Sequence, residues 1–284
     1  MRSYRRVGTR ILLYLAVLVI VVWTVAPFLW LVISSLSYKI DLLSVPLRWI
    51  PSRITFQNYV DLLFVRGEAN ANASLFILGM ANSLVVATSA TLICLMLGVL
   101  SAYAMARLRF PGSRGSMLLL MTAQMLPALA IVIPLYVLLR QMNLLDSRPG
   151  LTLVYLSFIL PLVVWLMRGY FASIPSELED AARIDGCSRL GALWRVVLPL
   201  AAPGLVSVAV FAFIAAWNEY LFAFILTSAD AKTVPVVIGE FSTKLGLEYL
   251  RIAAAGVLAS LPPVVLALVF QRFIIRGLTS GAVK

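Results

Sequence analysis

Residues 173–204 read SIPSELEDAARIDGCSRLGALWRVVLPLAAPG, a polar interval set between two long apolar runs. Ser176 followed three residues later by Glu179 has the form of a capping box, which predicts a helix starting just after Pro175. Leu178, Ala181, Ala182 and Asp185 fall on one side of about two turns, and Gly186 supplies the conformation that ends them. Ser188 is placed to cap a second helix through Leu198, with Leu190, Leu193, Trp194 and Val197 as its apolar stripe. Pro199 and Pro203 then mark the entry to the next apolar run. A short capped helix with a small-residue face suits a groove in another protein, because alanine lets two backbones approach closely. An ordinary amphipathic loop is the alternative, and the local pattern leaves both open.

Outward from this interval the chain is strongly apolar. It has 284 residues, 62% of them hydrophobic and 12% charged, with a mean hydropathy of +1.00, a composition that belongs in a bilayer. Six runs are long enough to cross as helices: 11–33, 75–106, 117–139, 151–167, 203–226 and 252–275. Arg2, Arg5, Arg6 and Arg10 precede the first, but its length exceeds a signal-peptide core, and it reads as a retained span. No repeat or low-complexity tract interrupts the chain, which reads as one domain, 1–284, with the 173–204 loop a polar interval between two of its spans.

The net charge of +11 resolves into an orientation. One set of loop ends carries Arg2, Arg5, Arg6, Arg10, Arg107, Arg109, Arg114, Arg168, Arg183, Arg189, Arg195, Arg272, Arg276 and Lys284. The other carries Lys39, Arg48, Arg53, Arg66, Arg140, Arg148, Lys232, Lys244 and Arg251, spread over longer loops. The first set, with both termini and the 173–204 loop, is therefore expected on the cytoplasmic side. This accounts for the basic charge without nucleic acid. The outer connection from 37 to 74 is the longest and contains Pro46 and Pro51.

Reactive chemistry is sparse. There is no histidine, so metal sites and Ser/His or Cys/His hydrolases are hard to build. Cys94 and Cys187 are too differently placed for a disulfide framework. Glu219, in Trp217-Asn218-Glu219-Tyr220, is the one acidic residue expected within a span. Its insertion costs about 2.5 to 3.5 kcal/mol, so it needs a partner or water. Continuous helix through 203–226 would put Ala212, Ala215, Ala216 and Ala223 on its face. Trp217, Asn218, Glu219 and Tyr220 could line a solute path, with carboxylate and amide for hydroxyls and aromatics for apolar ring faces. A purely interhelical contact is the other reading. Asn82 and Ser83, near the outer end of the second span, read as capping residues or as hydrogen bonders between helices rather than substrate contacts, and Pro127, Pro134, Pro161, Pro262 and Pro263 as kinks.

The string Glu179-Asp180-Ala181-Ala182-Arg183-Ile184-Asp185-Gly186, followed by Leu198-Pro199, resembles the EAA loop of ABC importer permeases, closest to their sugar-uptake branch. Ala102-Tyr103-Ala104, Arg107, Phe110 and the terminal Gly277-Leu278-Thr279-Ser280-Gly281-Ala282-Val283-Lys284 extend the resemblance over nearly the whole chain. Asp180 departs from the family pattern, standing where glutamate is usual. The resemblance implies an all-α polytopic fold with six transmembrane helices, the type I importer permease (MetI-like) fold, in a bacterial or archaeal cytoplasmic membrane. It implies a non-catalytic subunit whose Glu179, Asp180, Ala181, Ala182, Asp185, Gly186, Leu198 and Pro199 couple to an ATPase. It further implies two cytoplasmic ATPase subunits, a second related permease and an extracytoplasmic solute-binding protein. The chain has no Gly-x-x-x-x-Gly-Lys-Ser/Thr loop, so ATP and magnesium are expected on the partner. A secondary transporter, or an importer of a non-sugar solute, is the alternative.

Overall fold

The computed structural model describes residues 2–42, 44–46, 48–64, 71–108, 110–243 and 246–280. Arg66, Arg109, Lys244, part of the 37–74 connection and the terminal Gly281–Lys284 lie outside them. In chain order the elements are α1 (Arg2–Ser35), α2 (Lys39–Leu42), α3 (Gln57–Leu63), α4 (Ala71–Arg107), α5 (Ser113–Ala123), α6 (Ala128–Gln141) and α7 (Arg148–Ser173). There follow α8 (Ser176–Ile184), α9 (Arg189–Ala192) running through a π-helical turn (Leu193–Val197) into α10 (Leu198–Trp217), α11 (Leu221–Leu226) and α12 (Val234–Glu240). A two-residue antiparallel ladder, β1 (Ser242–Thr243) with β2 (Gly246–Leu247), precedes α13 (Tyr249–Ser280).

Among the described residues, five helical stretches are long and apolar enough to span a bilayer, six if the bent pair α5 and α6 is one span. Two expected spans are thereby corrected. The run 117–139 is not one helix: its halves meet at 93°, with Pro127, which cannot donate an N–H, as the N-cap of α6. The run expected at 203–226 begins earlier, at Arg189, and ends at Trp217. Pro199 and Pro203 do not delimit it, because the π turn lets the chain pass from α9 into α10 without a break and Pro199 sits in the first turn, where no N–H is needed.

The described residues gather into two compact units, 1–77 with 238–260, and 78–237 with 261–284. In the first, α1 is exposed along most of its length, and its C-terminal end is tied down by polar contacts. The Ser35 and Tyr59 hydroxyls share a 2.6 Å hydrogen bond, and Asn58 Nδ2 donates to the Ser35 carbonyl at 2.9 Å.

The second unit is organised on α7. Tyr155, Ile159, Val163, Met167 and Phe171 recur every four residues and are fully buried, forming one stripe down the helix. Gly98 of α4 meets it closely, where an added Cβ would lie 2.6 Å from Val163 Cγ1. Gly204 of α10 lies under the Tyr170 ring with a corresponding clearance of 2.5 Å, and Gly277 of α13 would meet Ser207 Oγ at 2.4 Å. These small residues let the backbones close on one another where lipid supplies no hydrophobic drive between helices.

Candidate functional site

Helix α8 begins and ends near the expected positions, but its start is built differently. Pro175 is the N-cap, and no side chain caps the first turn. Ser176 is already helical, so the capping box does not form. Glu177 and Glu179 in the first turn complement the positive helix end. At the other end Gly186 adopts φ +91°. The Gly186 N–H bonds to the Arg183 carbonyl at 3.1 Å and the Cys187 N–H to the Ala182 carbonyl at 3.0 Å, closing the helix as a Schellman motif. The Ser188 hydroxyl accepts from the Gly191 N–H at 3.1 Å, the expected cap of the next helix.

Glu179 is released from capping because it has partners elsewhere. It is 8% exposed and accepts a hydrogen bond on Oε1 from the Tyr103 hydroxyl. Its Oε2 lies 3.3 Å from Arg107 Nε. Tyr103 and Arg107 are four residues apart and share a face of α4. Arg107 Nη2 donates to the carbonyl of Ile174, the C-cap of α7, at 2.7 Å. The Tyr103 ring meets Phe171 of α7 edge-on, with centroids 6.2 Å apart. One buried cluster thus joins the ends of α4 and α7 to α8.

The remaining loop residues divide by exposure. Asp180, Ala181, Asp185, Gly186 and Pro199 are exposed, Ala182 is half-buried, and Leu198 is buried. Leu193 and Val197 are buried, whereas Leu190 and Trp194 are 58% and 62% exposed, so the expected apolar stripe splits into two faces. With Leu178 and Ile184, also exposed, Leu190 and Trp194 form the open apolar surface of a loop that also presents Asp180 and Asp185.

Trp217 ends α10 and Asn218, Glu219 and Tyr220 form a break before α11, so the expected alanine face around Glu219 does not exist. Glu219 instead serves the start of α11, accepting from the Phe222 N–H at 2.8 Å and the Ala223 N–H at 3.0 Å. It also accepts from the Tyr155 hydroxyl at 2.9 Å. Trp217 is buried and stacks on Phe213, while Asn218 and Tyr220 are exposed and Tyr220 stacks on Phe224. An open groove of about 650 Å³ between α4, α10 and α13 is apolar, lined by residues such as Leu84, Phe213 and Phe270, and includes none of these four.

At the other end of α7 stands a polar cluster centred on Asp146, a residue the sequence does not single out. Asp146, in a positive-φ turn at 49°, accepts from the backbone N–H of Ala229, Asp230 and Ala231 and from the Ser228 hydroxyl, at 2.8 to 3.1 Å. Burial tends to raise its pKa, but the hydrogen bonds from Ala231, Asp230 and Ser228 outweigh it and hold the carboxyl well below the usual carboxylate range. Asn82 Nδ2 donates to the Asp230 and Lys232 carbonyls, its Oδ1 accepts from Arg148 Nε at 2.7 Å, and Ser83 Oγ accepts from the Val234 N–H. The bonds expected of Asn82 and Ser83 thus run to the connection between α11 and α12, those of Asn82 to its carbonyls and that of Ser83 to the first N–H of α12, rather than from span to span. The sequence signal for Asp146 is slight: an aspartate in a short loop ahead of Ser147-Arg148-Pro149.

Residues 94–280 match the model of the binding-protein-dependent transport system inner membrane component family. The chain belongs to that family. Over 98% of its length the permease is 41% identical to the trehalose transport system permease protein SugB of Mycobacterium tuberculosis (strain CDC 1551 / Oshkosh), covering 99% of that protein. It is 34% identical to the trehalose/maltose transport system permease protein MalG of Thermococcus litoralis, with 97% of each chain covered. In structure it is similar to a chain of a bacterial ABC transporter involved in import of the acidic polysaccharide alginate. That match has TM-score 0.78 and 25% identity and covers 96% of this chain and 98% of that one. This chain is accordingly an ABC importer permease, a transport subunit built from several membrane helices. The secondary-transporter alternative is set aside. The family match takes in the Tyr103–Arg107–Glu179 cluster, Asp146 and Glu219, while Asn82 precedes it.

Proposed function

We propose that this permease moves a sugar or related polyhydroxyl solute into the cell as one of two related membrane subunits, driven by two cytoplasmic ATPases that bind ATP and magnesium. The 173–204 loop is the docking element. The observation that carries this reading is the outward presentation of Asp180, Ala181, Asp185 and Gly186 on a helix whose base is buried through Glu179. Exposed Ile184, Leu190 and Trp194 add an apolar area suited to burial in a cleft. Both termini lie on the ATPase side, in keeping with the basic residues gathered there. Solute is delivered from the opposite side by a binding protein. The trehalose and trehalose/maltose assignments of the two relatives support a disaccharide-sized cargo.

Within the membrane, exposed Asn218 and Tyr220 are the path-facing members of their segment, offering an amide to hydroxyls and a ring to an apolar sugar face. Glu219 and Trp217 hold the bend that presents them. The test is to isolate the solute-binding protein that co-purifies with the tagged importer and identify its ligand by mass spectrometry. A sugar or polyol supports the reading, and an amino acid, metal or oxyanion overturns it.

A further inference from the structure

We propose that Glu179 is the positioning residue that couples the docking helix to the α4 span, rather than part of the surface the ATPase touches. This rests on the reading of 173–204 as the docking loop. Three observations carry it. Glu179 is the one buried charged residue of α8, while its neighbour Asp180 is exposed. Its two oxygens are divided between two residues of α4: Oε1 accepts from the Tyr103 hydroxyl, and Oε2 lies 3.3 Å from Arg107 Nε. Arg107 continues the contact to the Ile174 carbonyl at the end of α7, so one guanidinium holds α4, α7 and α8 together. The Tyr103 hydroxyl also lies 3.3 Å from the Arg189 carbonyl of α9.

The physics favours rigid transmission. A charge pair withdrawn from water is costly to separate, since either partner alone would be left buried and uncompensated, whereas exposed pairs such as Arg183–Asp180 at 3.5 Å yield readily. A displacement imposed on the exposed face of α8 therefore passes into α4 and the end of α7 before the cluster breaks. Local packing shifts of this kind are how small movements at a docking site become movements of whole helices.

The experiment uses the complete importer, with spin labels on Glu177→Cys of α8 and Leu97→Cys of α4 in a Cys94→Ala, Cys187→Ser background. Distances are measured without nucleotide and after trapping with ATP and vanadate. The expected result is one narrow distance in both states for the otherwise unaltered chain. In Glu179→Gln the nucleotide-free distance is retained, the ATPase still co-purifies, and the narrow peak is lost on trapping. Tyr103→Phe, which removes one hydroxyl and leaves the ring on Phe171, should give the same nucleotide-dependent loss and carries the test if Glu179→Gln fails to fold. A distance that changes on trapping in the unaltered chain overturns the proposal. So does a variant whose peak stays narrow in both states, is already lost without nucleotide, or is accompanied by loss of the ATPase. Asp180→Lys separates the underlying reading: it should release the ATPase with the nucleotide-free distance unchanged. Retention of the ATPase would overturn the docking loop itself.

Discussion

Glu179 Oε2 and Arg107 Nε lie 3.3 Å apart with both side chains about nine-tenths buried, across 72 residues of sequence. The pair stands where the end of α4 meets the start of α8, with Glu179 buried and Arg107 at the edge of an open polar pocket. Removing one partner should cost about 3 to 5 kcal/mol, because the other is left as an uncompensated buried charge. Glu179→Leu and Arg107→Met singly are expected to lower the melting temperature of the detergent-purified permease more than the double variant does. Equal or additive losses would show the pair to be uncoupled.

Asp146 gathers three backbone N–H groups and a hydroxyl from the 228–231 segment. Asp146→Ala leaves those donors without their acceptor and places alanine at φ 49°, with an expected loss of about 2 kcal/mol or more of local stability. Hydrogen exchange at Ala229 to Ala231 should accelerate accordingly, leaving the α7 core protected.

The same residue fixes a pH dependence. Its folded pKa is depressed, so its stabilisation is fully present above the ordinary carboxylate value and is lost only as pH falls through the depressed one. Protection of the 229–231 amides, corrected for intrinsic rate, should be constant from neutrality down to about pH 4.5, above the ordinary aspartate value. Loss of protection between pH 7 and 5 would contradict the cluster.

Much of this was legible in the sequence. Gly186 and Ser188 announced the end of α8 and the start of α9 through local chemistry that acts within a turn, and the apolar runs announced most spans by length alone. What was missed is non-local. Ser176 and Glu179 have capping-box spacing, but the pattern cannot register that Tyr103 and Arg107 compete for the carboxylate. Hydropathy likewise sees 203–226 as continuous and cannot show that Glu219 satisfies the N–H groups of Phe222 and Ala223, which makes a break at 218–220 tolerable inside an apolar run. Pro127 marks the place of a kink in the sequence, but a 93° turn depends on what the two halves pack against.

Gly204 and Gly277 test the close approach of α10 and α13 to Tyr170. An alanine at 204 would put Cβ 2.5 Å from the Tyr170 ring, and one at 277 would put it 2.8 Å from the Tyr170 hydroxyl and 2.4 Å from Ser207 Oγ. Overpacking of this kind costs about 1 to 3 kcal/mol. Gly204→Ala should reduce folded yield in size-exclusion profiles, with recovery when Tyr170→Leu is added. No recovery would place the defect elsewhere.

Gly186 has open space around it, so its requirement is backbone conformation alone. Gly186→Ala is expected to lose about 1 to 2 kcal/mol at the helix end, and Gly186→Asn less, read as faster exchange at the Gly186 and Cys187 amides. Equal exchange in both variants and the unaltered chain would remove the Schellman closure as a determinant of the loop.

The most direct test of the importer assignment is uptake of radiolabelled trehalose by the purified complex in proteoliposomes, with the binding protein supplied on the side opposite the ATPases and ionophores collapsing every ion gradient. The expected result is uptake that requires ATP on the ATPase side, stops with vanadate and is lost in Asp180→Lys. Uptake that persists without ATP and disappears with the ionophores would contradict the account.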